Sequence, residues 1–293
     1  MLVNPLPTSA ADPKPTLRSL MAVLISLPIT SPIQAGSWEI ELGTFFSQTD
    51  TNIRVYDPFA EKDRILNFES ELMLPHDRSL PYFDVEYRFN DRHHLYFDWR
   101  RLHRDGTQED VTDPFQFTIN GYTYHVEAGS YLETVLEVDI MRFGYGFRFF
   151  QGEDLALDLL AGVHVTHLGL GFIGDLRLEI EPEPTGGGDS EIHGEVFSAV
   201  TAPLPNLGLR MEFTVGERIV FISHGHAFYL EVDEITGWMY ELEVAARYRI
   251  SEAWSVTGSL SYYELGVDYR TKLTTIDVTY EFYGPMLKVA YRF

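Results

Sequence analysis

From about residue 37 to the last residue, apolar side chains recur at every second position, and that period limits the fold more than any other feature. Trp38, Ile40, Leu42 and Phe46 alternate with Glu39, Glu41 and Gly43. Phe83, Val85, Tyr87 and Phe89 alternate with Asp84, Glu86 and Arg88. Leu95, Phe97 and Trp99 alternate with Tyr96, Asp98 and Arg100, and Trp238 to Tyr248 alternates with Glu241, Glu243, Arg247 and Arg249. A period of two is a strand with one apolar face. A soluble sandwich alternates too, but its apolar face is mostly Val, Ile and Leu. Here Trp, Tyr and Phe crowd the strand ends, as lipid headgroup girdles require.

The punctuation is asymmetric. Tight polar turns stand at Asn90 to His93, Gln151 to Asp154, Gly216 to Arg218 and Ser251 to Ala253, and longer polar segments lie between them. The expected fold is therefore all-β: an antiparallel up-and-down transmembrane β-barrel of about ten strands, with eight or twelve the alternatives. The strands fall near 37–55, 80–89, 94–104, 134–150, 155–171, 204–215, 218–233, 237–250, 254–268 and 271–293. Residues 1–35 read as a signal peptide, with Arg18 before an apolar run and Ala35 at the cleavage site, and residues 36–293 as a single barrel domain. Mean hydropathy is only −0.11, as expected when alternate residues alone face lipid. The chain has no cysteine, which excludes thiolate metal sites and thiol chemistry. Its net charge of −22 argues against a nucleic-acid partner.

Two long segments stand out. Residues 105–133 hold Asn120-Gly121 between β-formers, a hairpin signal. Residues 173–203 read as a flexible acidic loop, with carboxylates over 179–191 that fit a solvated surface better than a calcium site. The alternation also changes phase between Ile140 and Met141, and again at Tyr283-Gly284-Pro285, where a β-bulge is the expected cause.

With the apolar parity outside, the lumen candidates are Glu39, Glu41, Asp84, Glu86, Arg88, Asp98, Arg100, Arg148, Arg210, Glu241, Glu243, Arg247, Arg249, Lys288 and Arg292, with Glu137, Asp139, Arg142, Asp158 and Glu212 beside them. In so narrow a barrel these charges are expected to pair across the interior. The cations near the short-turn end could form an anion-favouring constriction. His224 and His226 share one face of a strand, and no third metal ligand can be named; no cofactor is expected. A Ser-His-acid set is not evident either: Ser223 precedes His224, the reverse of the His-x-Ser order of lipid A deacylases, and the paired-Asp pattern of omptin proteases is missing.

The final strand, with Leu287, Val289, Tyr291 and the terminal Phe293, resembles the C-terminal signature that barrel-assembly machinery reads in bacterial outer-membrane proteins. Arg104-Asp105-Gly106, Ala202-Pro203-Leu204-Pro205-Asn206-Leu207-Gly208 and Tyr283-Gly284-Pro285 resemble stretches in a loose group of small Gram-negative outer-membrane barrels of the OmpA/OmpW kind. That resemblance implies an outer-membrane location, lipid and lipopolysaccharide as surroundings, the assembly machinery as a partner during biogenesis, and a monomer. The function expected is a narrow pore or a structural and surface-interaction protein; the alternative is an outer-membrane hydrolase acting on lipid or peptide at the extracellular rim.

Overall fold

The computed structural model describes residues 36–57, 62–119, 122–179, 190–232, 235–270 and 275–293. The proposed signal peptide, Asn120-Gly121 and the centre of the acidic segment lie outside them. Among the described residues there are thirteen strands: β1 (Ser37–Asp57), β2 (Lys62–Asn67), β3 (Asp77–Asn90), β4 (His93–Gln108), β5 (Phe115–Ile119), β6 (Tyr122–Val126), β7 (Leu132–Gln151), β8 (Leu155–Glu179), β9 (Ser190–Val215), β10 (Ile219–Val232), β11 (Ile235–Arg249), β12 (Trp254–Arg270) and β13 (Thr275–Arg292). Ten of them form a closed antiparallel ring, β1-β3-β4-β7-β8-β9-β10-β11-β12-β13, sealed by pairing of β13 with β1. All ten strands expected from the sequence are in this ring, and the four short turns join them at one end. Closure leaves no free sheet edge around the membrane-spanning part.

The outward face explains why the alternation is so sustained. Leu42, Phe143, Leu159, Leu207, Leu209, Leu242, Leu260 and Leu287 are all exposed on it. Trp38, Tyr248, Trp254 and Tyr291 lie towards the short-turn end, and Phe46, Tyr229, Tyr240 and Tyr283 towards the other. Water would not tolerate an apolar belt of this extent, and hydrocarbon between two aromatic girdles does. About ten residues suffice to cross a bilayer as a tilted strand. β8 has 25 residues and β9 has 26, so both stand well clear of the membrane on the long-loop side. The segments 173–179 and 190–203, expected as loop, are strand. β5 and β6 pair as the expected hairpin, with Ile119 opposite Tyr122.

Neither phase change is a bulge. β13 pairs with β12 in one unbroken register from Trp254↔Tyr291 to Arg270↔Thr275. Tyr280, Phe282 and Met286 therefore point inward with Lys288 and Ala290, and all five are buried. β7 likewise keeps one register past Ile140 and Met141; its irregularity comes lower, between Arg148 and Phe150. Leu132, Leu136, Val138 and Ile140 are inward and buried, which turns Glu137 and Asp139 outward rather than into the lumen. There Asp139 meets His103 from β4 at 2.9 Å. What changes along these strands is the filling of the barrel, from charged to apolar, and not the side of the strand.

Candidate functional site: a lumen filled at two levels

Nearer the short turns, the interior is an ion-pair lattice whose Arg, Lys, Asp and Glu side chains come from eight of the ten ring strands; β10 adds His224 and His226, and β12 the Thr257 hydroxyl, 3.3 Å from Arg247. Arg247 on β11 donates to Glu39 at 2.6 Å and to Glu41 at 3.0 Å, both on β1. Arg292 meets Glu39 at 2.5 Å, and Lys288 reaches across to Glu243. On the far wall Arg210 contacts Glu86 at 2.8 Å and Glu212 at 2.7 Å, Arg88 contacts Glu86 at 2.5 Å, and Arg148 contacts Asp158 at 2.7 Å and Glu212 at 2.8 Å. At the centre Glu241 accepts from Arg100 at 2.5 Å and from Arg142, and Arg142 also holds Asp98 at 2.6 Å. Alternation makes this possible: each strand offers the lumen one side chain in two, so long Arg side chains meet carboxylates from strands far apart in sequence.

His224 and His226 belong to this lattice. Arg142 Nη1 lies 2.8 Å from His226 Nδ1. His224 Nε2 is 3.7 Å from Glu241 and 3.9 Å from Glu243. His164 shares a 2.9 Å hydrogen bond with the Tyr263 hydroxyl. Among the described residues, no group of three His or acidic side chains has the geometry of a metal site. A cavity of about 70 Å³ lies among Asp84, Tyr96, His94, His224, Glu243 and Arg247, room for a few waters and little else.

Two residues placed in the lumen by parity are at its mouth. Arg249 is exposed, and Arg292 is 43% exposed although it is paired with Glu39. Both line an open recess of about 440 Å³ at the short-turn end, beside Trp254 and Arg218. The suggested anion-favouring constriction meets a simple objection: Arg88, Arg148, Arg247, Lys288 and Arg292 are each committed to a carboxylate.

Above the lattice the lumen turns apolar, and the sequence contained no separable signal for this layer. Phe282 stacks on Tyr263 at 4.5 Å between ring centroids and meets Phe45 edge to face at 5.5 Å. Leu80, Leu102, Val138, Ile140, Phe228, Met239 and Leu265 complete the layer. The segment after β2 then folds inward over it. Leu66, Phe68, Leu72 and Leu74 are buried around a single helical turn, Phe68–Glu71. That turn is pinned by Glu69, which meets Arg104 at 2.5 Å and accepts the Thr51 amide at 2.8 Å. Gly106 lets the segment approach, since a Cβ there would lie 2.7 Å from the Leu72 carbonyl oxygen.

No protein-family model matches the chain, and no curated protein does. Its structure is similar to that of the outer membrane protease OmpT from Escherichia coli, with a TM-score of 0.54 and 11% identity over 88% of this chain and 97% of that one. Weaker likenesses include Ail, the attachment invasion locus protein of Yersinia pestis, at a TM-score of 0.34 and 11% identity over 89% of this chain and all of that one. A FadL homologue of Pseudomonas aeruginosa gives 0.35 and 9% over 88% and 90%. The fold is that of the Gram-negative outer-membrane β-barrels. A closed ring with this apolar belt resides in the outer membrane.

Proposed function

We propose that this protein is a closed, non-conducting outer-membrane barrel that works as a structural and surface-interaction protein, through the sheet it raises above the membrane. The filled lumen carries the reading. Ions or solutes entering from the short-turn end would meet paired charges, then the Phe45–Tyr263–Phe282 layer, then the inserted turn held by Glu69 and Arg104. A pore would require breaking buried ion pairs or displacing packed rings, each costing several kcal/mol. Reconstituted in planar bilayers, the full-length barrel should show no unitary current steps. Reproducible steps from folded protein would restore the narrow-pore reading.

The hydrolase alternative gains no specific support. Its likeness to the OmpT protease is one of fold, and His224 and His226 lie below the apolar layer, away from the extracellular rim. The remaining partners fit the same picture. Leu287, Val289, Tyr291 and Phe293 present their side chains outward on the last strand, available to assembly machinery before the ring closes. Lipid and lipopolysaccharide surround a monomer.

A further inference from the structure

The ring is open on one side above the membrane. β9 and β10 pair from Val215↔Ile219 only as far as Leu207↔Ala227. Beyond that point β9 stays paired with β8 up to Ser190, and β10 stays paired with β11 up to Val232. Among the described residues no strand lies between them. The seam starts at the outer aromatic girdle, beside exposed Tyr229.

Backbone direction can be fixed on both sides. The Thr214 amide donates to the Asp154 carbonyl at 2.8 Å, on the β8 side. The β8–β9 register is unbroken, so even-numbered amides of β9 face β8 and odd-numbered ones face the seam. Glu195, Phe197, Ala199 and Thr201 therefore direct N–H and C=O groups into it. Pro203 and Pro205 fall on the same side, where a missing N–H breaks no bond to β8. On β10 the same alternation turns Tyr229 and Glu231 towards the seam. Inward-facing side chains there are open to solvent: Val200 is 59% and Leu230 37% exposed. The run Glu195-Val-Phe-Ser-Ala-Val-Thr201 is β-prone, nearly uncharged and free of Pro and Gly, the kind of edge that soluble proteins cover or charge.

We infer that this seam is a docking site for an extended, basic segment of a partner protein, which adds as an eleventh strand along the free edge of β9, above the end of β10. Main-chain pairing supplies the binding, and the two faces supply the selection. Glu195 and Glu231 stand on the outward face, in a chain of net charge −22, and favour Lys or Arg there. Val200 and Leu230 on the inward face favour apolar residues. The fitting segment alternates basic and apolar residues. This rests on the surface-interaction reading and names its partner class.

The test uses the full-length barrel in nanodiscs and a fluorescent octapeptide of alternating Lys and Val. Polarisation should report binding, weakened tenfold or more when the peptide's alternate amides are N-methylated. A similar loss is expected in Ala199→Pro, which removes a seam-facing donor without touching the β8 ladder; Glu195→Lys should weaken binding too. The N-methylated peptide against the unaltered barrel keeps the test decisive if Ala199→Pro does not fold. No binding overturns the inference. So does equal binding of the N-methylated peptide, which would mean charge attraction alone. A spontaneous disulfide dimer of Ala199→Cys in this cysteine-free chain would overturn it in favour of a second copy as the occupant. Bilayer recordings on the same preparation report the closed lumen separately, so the two readings fail independently.

Discussion

Glu241→Ala should lower the free energy of unfolding of the barrel by roughly 3–5 kcal/mol, the cost of leaving buried charge without its partner. Glu241 receives Arg100 and Arg142, with His224 and His226 within 4 Å of its carboxylate. Removing it leaves two almost fully buried guanidinium groups to share one carboxylate, Asp98, which lies 2.6 Å from Arg142 and 4.0 Å from Arg100. Urea titration followed by the gel shift between folded and boiled protein would read the change. Glu127→Ala provides the contrast: its pair with Arg177 is exposed on both sides, and such pairs contribute about 0–1 kcal/mol. A loss below 1 kcal/mol in Glu241→Ala would mean that water solvates the lattice, which would also weaken the case for a sealed lumen.

Phe282→Ala should cost a similar amount, about 3–5 kcal/mol, from lost burial and the cavity left among Phe45, Tyr263 and Tyr280. Its neighbour Tyr283 faces outward at the girdle, and Tyr283→Ala should cost about 1 kcal/mol or less. This pair of variants decides the orientation of the upper part of β13. A bulge at Tyr283-Gly284-Pro285 would put Phe282 in lipid and predict a small loss for it. Equal small losses for both residues would contradict the continuous register.

That comparison shows where the sequence stops being readable. Period two reveals that a strand has two unlike faces, and the short polar turns reveal which end is which. Those signals suffice for ten strands and for the charged part of the lumen, where Glu, Asp and Arg can only face inward. They fail where the lumen becomes apolar, because Phe282 against solvent and Phe282 in a core are the same letter. The Ile140–Met141 change of phase misled for this reason and sent Glu137 and Asp139 to the wrong side. The partner choice of Lys288 was only half legible. The alternation marks it as a lumen cation without naming a partner: Glu41 on the neighbouring first strand is 3.9 Å away, and Glu243, two strands away, makes the shorter contact.

The three short stretches that mark the outer-membrane resemblance turn out to have separate physical reasons. Arg104 and Gly106 hold and admit the inserted turn. Gly284 leaves space for the Phe46 carbonyl, which a Cβ would approach to 2.1 Å. Pro203 and Pro205 mark where β9 parts from β10, while Gly208, just below, accommodates the ring of His226.

The way the ring closes also has a consequence for its making. Trp38 and Phe293 exchange backbone hydrogen bonds of 2.9 and 3.0 Å, and Arg292 and Glu39, 253 positions apart, are bridged beside them. Until β13 docks, β1 has no partner on that flank. Contacts of such long sequence separation form slowly, because loop entropy is lost before they repay it. Ring closure is therefore a slow step of folding, and until it is made the sheet carries two unsatisfied borders, one on β1 and one on β13.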